Sequence, residues 1–509
     1  MINRRTFIGA TGAFVASGGA AARTAVAQDI GKEQMRFGVL SDIHIATTKQ
    51  QPIFEKALRQ MDAWKVDGVL VCGDLADYGL EQQLQLVADT WFKVFPGGKG
   101  GDGRPVANLM HYGDHDMGGH WYWDLEDARK AWPSPEERKR GIICNGDRKA
   151  IWERCFKEPW APIQLKTVKG YDFVLAHFTK GEPTNKWGHN TPGLEEFFTS
   201  RKFDTAKPFF YSQHRVPRGT VLGPTAANLD EGKSTALFSK YPNLVAFCGH
   251  CHVSASFEKS IWQGPFTCVQ TPSLLYCCTM CGRENGYTTV DRPPIPPYQM
   301  MPQHRQSGLT HQGLLCVVGT KGMSIRRWDF EESRLLGPDW IVPFSSFAQK
   351  PWERPYNYEH RAGLVKPVEF AAGSEKKFKI EFTKGTDRGG NKHDFFTVSF
   401  PPAVNGLERA DDYEVSVELQ KGDVERCLVA KRVYSPRYMY GVESETVPVS
   451  CNFAAEEVPP GWLVRFVARP VTAFGLKGKL IATPWEFRAW GKNAKEAAEI
   501  AREMKSPRK

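Results

Sequence analysis

From residue 36 the chain alternates between two hydrophobic rhythms. "RFGVLSD", "GVLVCGD" and "PVANLMHYGD" are short, nearly continuous apolar runs that each end in acid. Between them, "QPIFEKALRQMDAWK" and "EQQLQLVADTWFKVF" place apolar residues at helical spacing. "YDFVLAHF", "KPFFYSQH" and "NLVAFCGH" then resume the strand pattern. Strands alternating with helices predict an α/β domain with largely parallel sheets. Continuous apolar strands predict sheets covered on both faces. Polar residues gather at the C-terminal ends of these runs, the edge at which open α/β sheets bind ligands.

The pattern lapses over 280–311, where Pro, Arg, Tyr and Met mix without a period and a long loop or flap is expected. Strands return in "GLLCVVGTKGMSIRRWDF", and "LLGPDWIVPF" closes the first domain. Beyond about 360, short alternating runs such as "DFFTVSFP", "YEVSVELQKG" and "GWLVRFVARPV" are separated by turns. They predict a β-sandwich of immunoglobulin or fibronectin type. The expected organisation is a leader over 1–27, an α/β domain over 28–355 with its flap at 280–311, a β-sandwich over 361–490, and a basic helical tail over 491–509.

Composition adds compartment. The 509 residues suit two or three domains. The first 27 carry Arg4, Arg5 and Arg23 and no acids, then a Gly- and Ala-rich apolar stretch ending in Ala25-Val26-Ala27. That is the layout of an export signal with a cleavage site. The paired arginines before Thr6-Phe7-Ile8 resemble the signal of the twin-arginine pathway, which exports folded proteins. The mature chain is then expected outside the cytoplasm, periplasmic or secreted, starting near Gln28. No later run is long and apolar enough to span a bilayer. Without the leader's three arginines the net charge falls from +10 to +7, which mildly favours anionic ligands and gives no reason to expect nucleic acid. An oxidising compartment permits disulfides among the 12 cysteines. Cys427 and Cys451 are candidates to pair, whereas Cys277, Cys278 and Cys281 lack the partners a zinc site needs.

Five strand ends carry candidate chemistry: "SDIH" (Asp42, His44), "GDLADYG" (Asp74), "GDHD" (Asp114, His115, Asp116), "SQH" (His214) and "GHCH" (His250, His252). On extended strand ends, Asp42 and His44 would point to the same side, as would His250 and His252. A pocket of several His and Asp side chains is costly when empty, because burial and repulsion oppose it. A metal removes that cost, and His with carboxylate suits Mn, Fe, Zn or Ni. His177, also at a strand end, is a candidate substrate-pocket residue instead. His111, His120 and Asp77 are read as supporting or surface groups, and Arg283, Arg292 and Arg305 as flap charges.

The order D-x-H, GD, GNH-D/E, H, GH-x-H is that of the calcineurin-like metallophosphoesterases, and residues 36 to 255 resemble it, with Asp114 where the family carries asparagine. "GDLADYG" resembles the cyclic-nucleotide phosphodiesterase-like branch. In purple acid phosphatases a ligand tyrosine stands where this chain has Asp77. The resemblance implies a four-layer fold of two facing sheets flanked by helices, with two divalent metals at the strand ends. It implies that Asp42, His44 and His252 hold one metal, that Asp114, His214 and His250 hold the other, and that Asp74 bridges them. It further implies hydroxide attack in line on a phosphodiester or phosphomonoester. His115 would serve the leaving group and Asp116 would orient His115. The expected partners are a small phosphorylated substrate and the twin-arginine export machinery. The competing readings are a periplasmic phosphatase or nucleotidase acting on monoesters, and a non-catalytic binding protein on a decayed scaffold. If Asp114 is ionised, two divalent metals with their three carboxylates leave about one net positive charge, against about two with asparagine.

Overall fold

The computed structural model describes residues 30–117, 148–178, 193–223, 230, 232–277, 311–386, 392–405, 408–435, 447–455, 458–459 and 461–487. The leader, the flap as far as 310, the tail beyond 487, His120, Cys278, Cys281, Arg283, Arg292 and Arg305 lie outside the described residues.

Strand β1 (Glu33–Leu40), helix α1 (Gln51–Ala63), β2 (Gly68–Cys72), α2 (Glu81–Val94) and β3 (Ala107–His111) follow the predicted alternation. A short turn of helix α3 (Asp114–Met117) and α4 (Arg148–Phe156) come next. Then follow β4 (Ile163–Val168), β5 (Tyr171–Ala176), α5 (Leu194–Thr199), β6 (Phe209–Ser212), α6 (Lys233–Phe238), β7 (Leu244–Cys248), β8 (Ile261–Gln263) and β9 (Thr267–Gln270). The chain returns through β10 (Gln312–Gly319), β11 (Gly322–Asp329), β12 (Arg334–Leu335) and β13 (Trp340–Pro343).

These strands make two mixed sheets. The first runs β12-β11-β10-β1-β2-β3 with β13 on β11, and the second β4-β5-β6-β7-β9-β8. Strands β1, β2 and β3 are parallel to one another, as are β5, β6, β7 and β9. The inner faces share one core, in which Phe37, Val39, Leu70 and Leu109 meet Phe173, Leu175, Phe210 and Phe247. The Phe37 ring lies 5.2 Å from Phe173 and 4.9 Å from Phe210, so a single aromatic spans the sheet-to-sheet contact. Helix α1 buries Phe54, Ala57, Leu58 and Met61, one helical stripe, against the outer face of the first sheet. Phe198 of α5 and Phe238 of α6 cover the outer face of the second. The result is helix, sheet, sheet, helix, the four layers expected.

A β-rich region follows helix α7 (Tyr358–Leu364), whose N-terminus is capped by the Asn357 side chain. Strands β14 (Lys379–Thr386), β15 (Lys392–Phe400) and β20 (Val449–Ala454) form one antiparallel sheet. Between them, β16 (Val404–Asn405) and β17 (Glu408–Arg409) pair as a small ribbon. Strands β18 (Asp412–Lys421), β19 (Val424–Tyr434), β21 (Leu463–Val471), β22 (Ile481–Ala482) and β23 (Glu486–Phe487) form the other sheet. Both sheets close over a core that includes Phe396, Val398, Phe453, Tyr413 and Phe466. Cys427 and Cys451 do not pair: Cys451 points into this core, Cys427 faces solvent, and both are free thiols. The region docks on the second sheet's side of the α/β layers. Tyr434 joins the aromatic core there, Arg361 pairs with Glu258 at 2.7 Å, and the Phe474 ring lies tilted 6.2 Å from that of Tyr358. No helix among the described residues is long and apolar enough to cross a membrane.

Candidate metal centre

The polar strand ends of both sheets meet at one place. Asp42 and His44 follow β1, Asp74 follows β2 and Asp114 follows β3, all from the first sheet. His214 follows β6, and His250 and His252 follow β7, from the second. Their ligand atoms fall into two groups within 4.8 Å: Asp42, His44, Asp74 and His252 in one, and Asp74, Asp114, His214 and His250 in the other. Asp74 stands in both.

The backbone reaches this arrangement by a route the strand pattern does not foretell. Asp42, His44, Asp74, His250 and His252 all lie past their strands with positive φ, 42° to 70°. They are five of the ten non-glycine residues in that region among the described residues. Left-handed backbone is strained for such side chains and persists only where its surroundings enforce it. The extended-strand argument for Asp42 with His44, and for His250 with His252, is therefore replaced by tight left-handed turns. These turns send His250 and His252 to different groups.

Neighbouring glycines make room. A Cβ on Gly249 would collide with Ser41 Oγ and lie 2.7 Å from Asp42 Oδ2. A Cβ on Gly113 would strike the Asp74 carboxylate and amide. The recurrent glycine before Asp114 and His250 is a requirement of close approach between the strand-end turns.

Outer hydrogen bonds aim the rings. His44 sets Nδ1 3.1 Å from Asp77 Oδ1 and turns Nε2 to within 3.2 Å of His252 Nε2. His214 Nδ1 lies 2.7 Å from the Cys72 carbonyl oxygen, and its Nε2 lies 3.0 Å from both Asp74 Oδ2 and Asp114 Oδ1. His252 Nδ1 lies 3.2 Å from the Tyr276 carbonyl oxygen, with Nε2 3.0 Å from Asp42 Oδ1. A carbonyl only accepts, so Nδ1 carries the proton in His214 and His252. Nε2 is then the nitrogen directed at the centre and left to bind a cation, the pattern of metal-binding histidines. His250 presents Nδ1, 3.2 Å from Asp114 Oδ1.

The donor set fits a cation. Asp42 and Asp74 are buried. Burial works against their charge, yet His252, His214 and His44 around Asp42, and His214 and His115 around Asp74, hold both carboxyls below the usual range. Burial likewise opposes a charge on His214, but Asp74, Asp114 and Asp42 raise it well above an ordinary histidine. Without a metal, shared protons must balance the carboxylates. Asp114 Oδ1 is the clearest sign of a missing partner. It is buried, close to two imidazoles, and in hydrogen-bonding geometry with neither among the described residues.

The neighbouring candidates sort differently. His115 lies beside the first group, its ring 4.5 Å from that of His44. Its Nδ1 is 2.8 Å from the Asp77 carbonyl oxygen. Burial opposes its protonation, but Asp74, Asp114 and Asp77 raise its pKa. Asp116 does not orient it. That carboxylate accepts from the amides of Gly113, Leu75 and Ala76 at 2.7–3.0 Å, tying the β2 and β3 turns together. Burial and the charge of Asp74 push Asp116 up to about 7 despite these bonds. The orienting group for His115 is the backbone of Asp77, a role no side-chain pattern reveals. His177 is no pocket residue: it accepts from the Tyr112 amide and sits among Trp152, Trp160 and Tyr112. His111 is buried, 2.7 Å from Ser212 Oγ, and burial lowers its pKa to about 3. Sequence reasoning passed over Arg215, whose Nη2 lies 3.1 Å from Asp114 Oδ2. Its one signal was a basic residue directly after a candidate ligand.

Residues 35–254 match the family model described as calcineurin-like phosphoesterase. No curated protein matches the chain. Among solved structures, the chain is similar to a dimetal phosphatase from Danio rerio at 9% identity and TM-score 0.35, covering 62% of this chain and 100% of that one. It is also similar to a purple acid phosphatase from yellow lupin (Lupinus luteus) seeds at 12% identity and TM-score 0.37, covering 62% and 54%. A third is an anchor protein of the inner membrane complex of Plasmodium, at 10% identity and TM-score 0.33, covering 61% and 89%.

Proposed function

We propose that this chain, a phosphoesterase with a calcineurin-like domain over residues 35–254, is an exported two-metal hydrolase of a phosphodiester. The observation that carries the reading is the pair of buried four-residue groups sharing Asp74. Asp42, His44 and His252 would hold one divalent cation, Asp114, His214 and His250 the other, and Asp74 both. When bound, such a pair polarises the phosphoryl group and acidifies water near neutral pH. Mn, Fe, Zn and Ni all suit nitrogen and carboxylate donors.

The chain's own residues supply the rest. Asp77 and the Cys72 and Tyr276 carbonyls hold the imidazoles in the tautomers that leave the inward nitrogen free. His115, with Nδ1 committed to the Asp77 carbonyl, would give the proton of Nε2 to the departing alkoxide once protonated. The raised pKa of His115 suits an acid. Preference for a diester rests on the "GDLADYG" stretch, and export rests on the paired arginines and the Ala25-Val26-Ala27 site.

The test compares bis(p-nitrophenyl) phosphate with p-nitrophenyl phosphate, with Mn added. The diester should turn over faster, and Asp74→Asn should lower kcat by more than about a hundredfold on it. Faster monoester turnover points to a phosphatase or nucleotidase. A protein that keeps no metal, and behaves identically as Asp74→Asn, is a binding scaffold.

A further inference from the structure

Asp114 adds a negative charge at a position where the resemblance leads one to expect a neutral amide. Its two oxygens have different surroundings. Oδ1 faces the imidazoles of His214 and His250, while Oδ2 is 3.1 Å from Arg215 Nη2. The Arg215 side chain is 4% exposed and its guanidinium lies 5.2 Å from the Phe178 ring centroid. A guanidinium stays charged in any protein environment and is costly to bury without a counter-charge. Arg215 is also the residue after His214, so the turn that delivers an imidazole to the centre delivers this cation beside it.

We propose that Arg215 is a positioning residue that makes Asp114 the electrostatic equivalent of a neutral amide at the second metal position. Arg215 holds Oδ2 and leaves Oδ1 as a single ligand oxygen. Its charge offsets that of the carboxylate, so the pair presents one donor atom and no net charge to the cation. The more anionic second site suggested by Asp114 in isolation is thereby cancelled. The inference rests on the two-metal reading above.

The test is a double-substitution cycle read by Mn stoichiometry and by the dissociation constant of the second ion, from calorimetry and chelator competition. Asp114→Asn removes the carboxylate that faces the Arg215 charge beside the cation and should weaken the second site about tenfold or more. Arg215→Gln leaves the carboxylate unopposed and should tighten it by a similar factor. The double variant, with neither charge, should return to within about threefold of the wild type, the sum of two opposed charge effects. If Arg215→Gln does not fold, the double variant remains readable, because removing both partners of a buried pair is far milder than removing one. It should then recover the affinity that Asp114→Asn lost. Two bound ions with an unchanged or weakened second site in Arg215→Gln, or a double variant no tighter than Asp114→Asn, would overturn the Arg215 assignment alone. Fewer than two ions in the wild type would overturn the two-metal reading and the assignment with it.

Discussion

At the scale of single residues, the centre depends on atoms that are absent as much as on those present. Gly249 leaves no room for a methyl against Ser41 and Asp42. Gly249→Ala should therefore displace Asp42 and reduce bound metal to about one equivalent or less by elemental analysis, with secondary structure retained in circular dichroism. His111 makes a separate prediction about acid. Burial keeps its folded pKa near 3 against about 6.5 unfolded, so the unfolded chain binds the proton first. Stability should fall as pH drops through 6.5 toward 3, by about 2 kcal/mol between pH 7 and pH 5 from this group. Denaturant melts of metal-free wild type and His111→Gln at both pH values measure it: the variant should lose less stability on acidification. For His115, loss of an acid should matter most when the leaving group is poor. His115→Asn should lower kcat by about a hundredfold or more on an alkyl diester, and much less on the nitrophenyl diester. Equal losses on both would assign it another role.

At the scale of elements, the centre belongs to neither sheet. Strands β1, β2 and β3 bring the carboxylates and His44, and β6 and β7 bring the other imidazoles, so the ligands stay together only while the sheets stay packed. Phe37 is the clearest link, touching Phe173, Phe210 and Phe247. Phe37→Ala should cost about 3–5 kcal/mol in chemical denaturation. It should also weaken metal retention although the residue is not a proposed ligand. The strand and helix pattern was legible because apolar residues repeat at 2.0 or 3.6 residues in a chain that buries them. The left-handed turns after β1, β2 and β7 were not. They follow from contact between turns of different strands, a pairing with no local period, and the same is true of the amides that claim Asp116.

At the scale of the whole molecule, charge and metal are linked. With His214 protonated beside Asp74 and Asp114, cation uptake should expel protons. Mn titrations in buffers of different ionisation enthalpy should give heats that differ in proportion to that release. Chelation should lower Tm, and the loss should reverse with added Mn in a concentration-dependent way. If the leader is processed as proposed, the exported protein isolated from cells should start near Gln28, and Arg4→Lys with Arg5→Lys should retain it in the cytoplasm.

The sequence by itself determined the alternation of strands and helices and the roster of acids and imidazoles at the strand ends, while the family resemblance implied the layers. Hydrophobic spacing and residue chemistry are properties of neighbours along the chain. Only the tertiary structure decided which of these groups share a cation-sized space. It also decided that Asp77 rather than Asp116 serves His115, that Cys427 and Cys451 stay apart, and that the charge of Asp114 is met by Arg215. Those outcomes depend on distances between residues tens to about two hundred positions apart, and such distances exist only once sheets have closed on a common core.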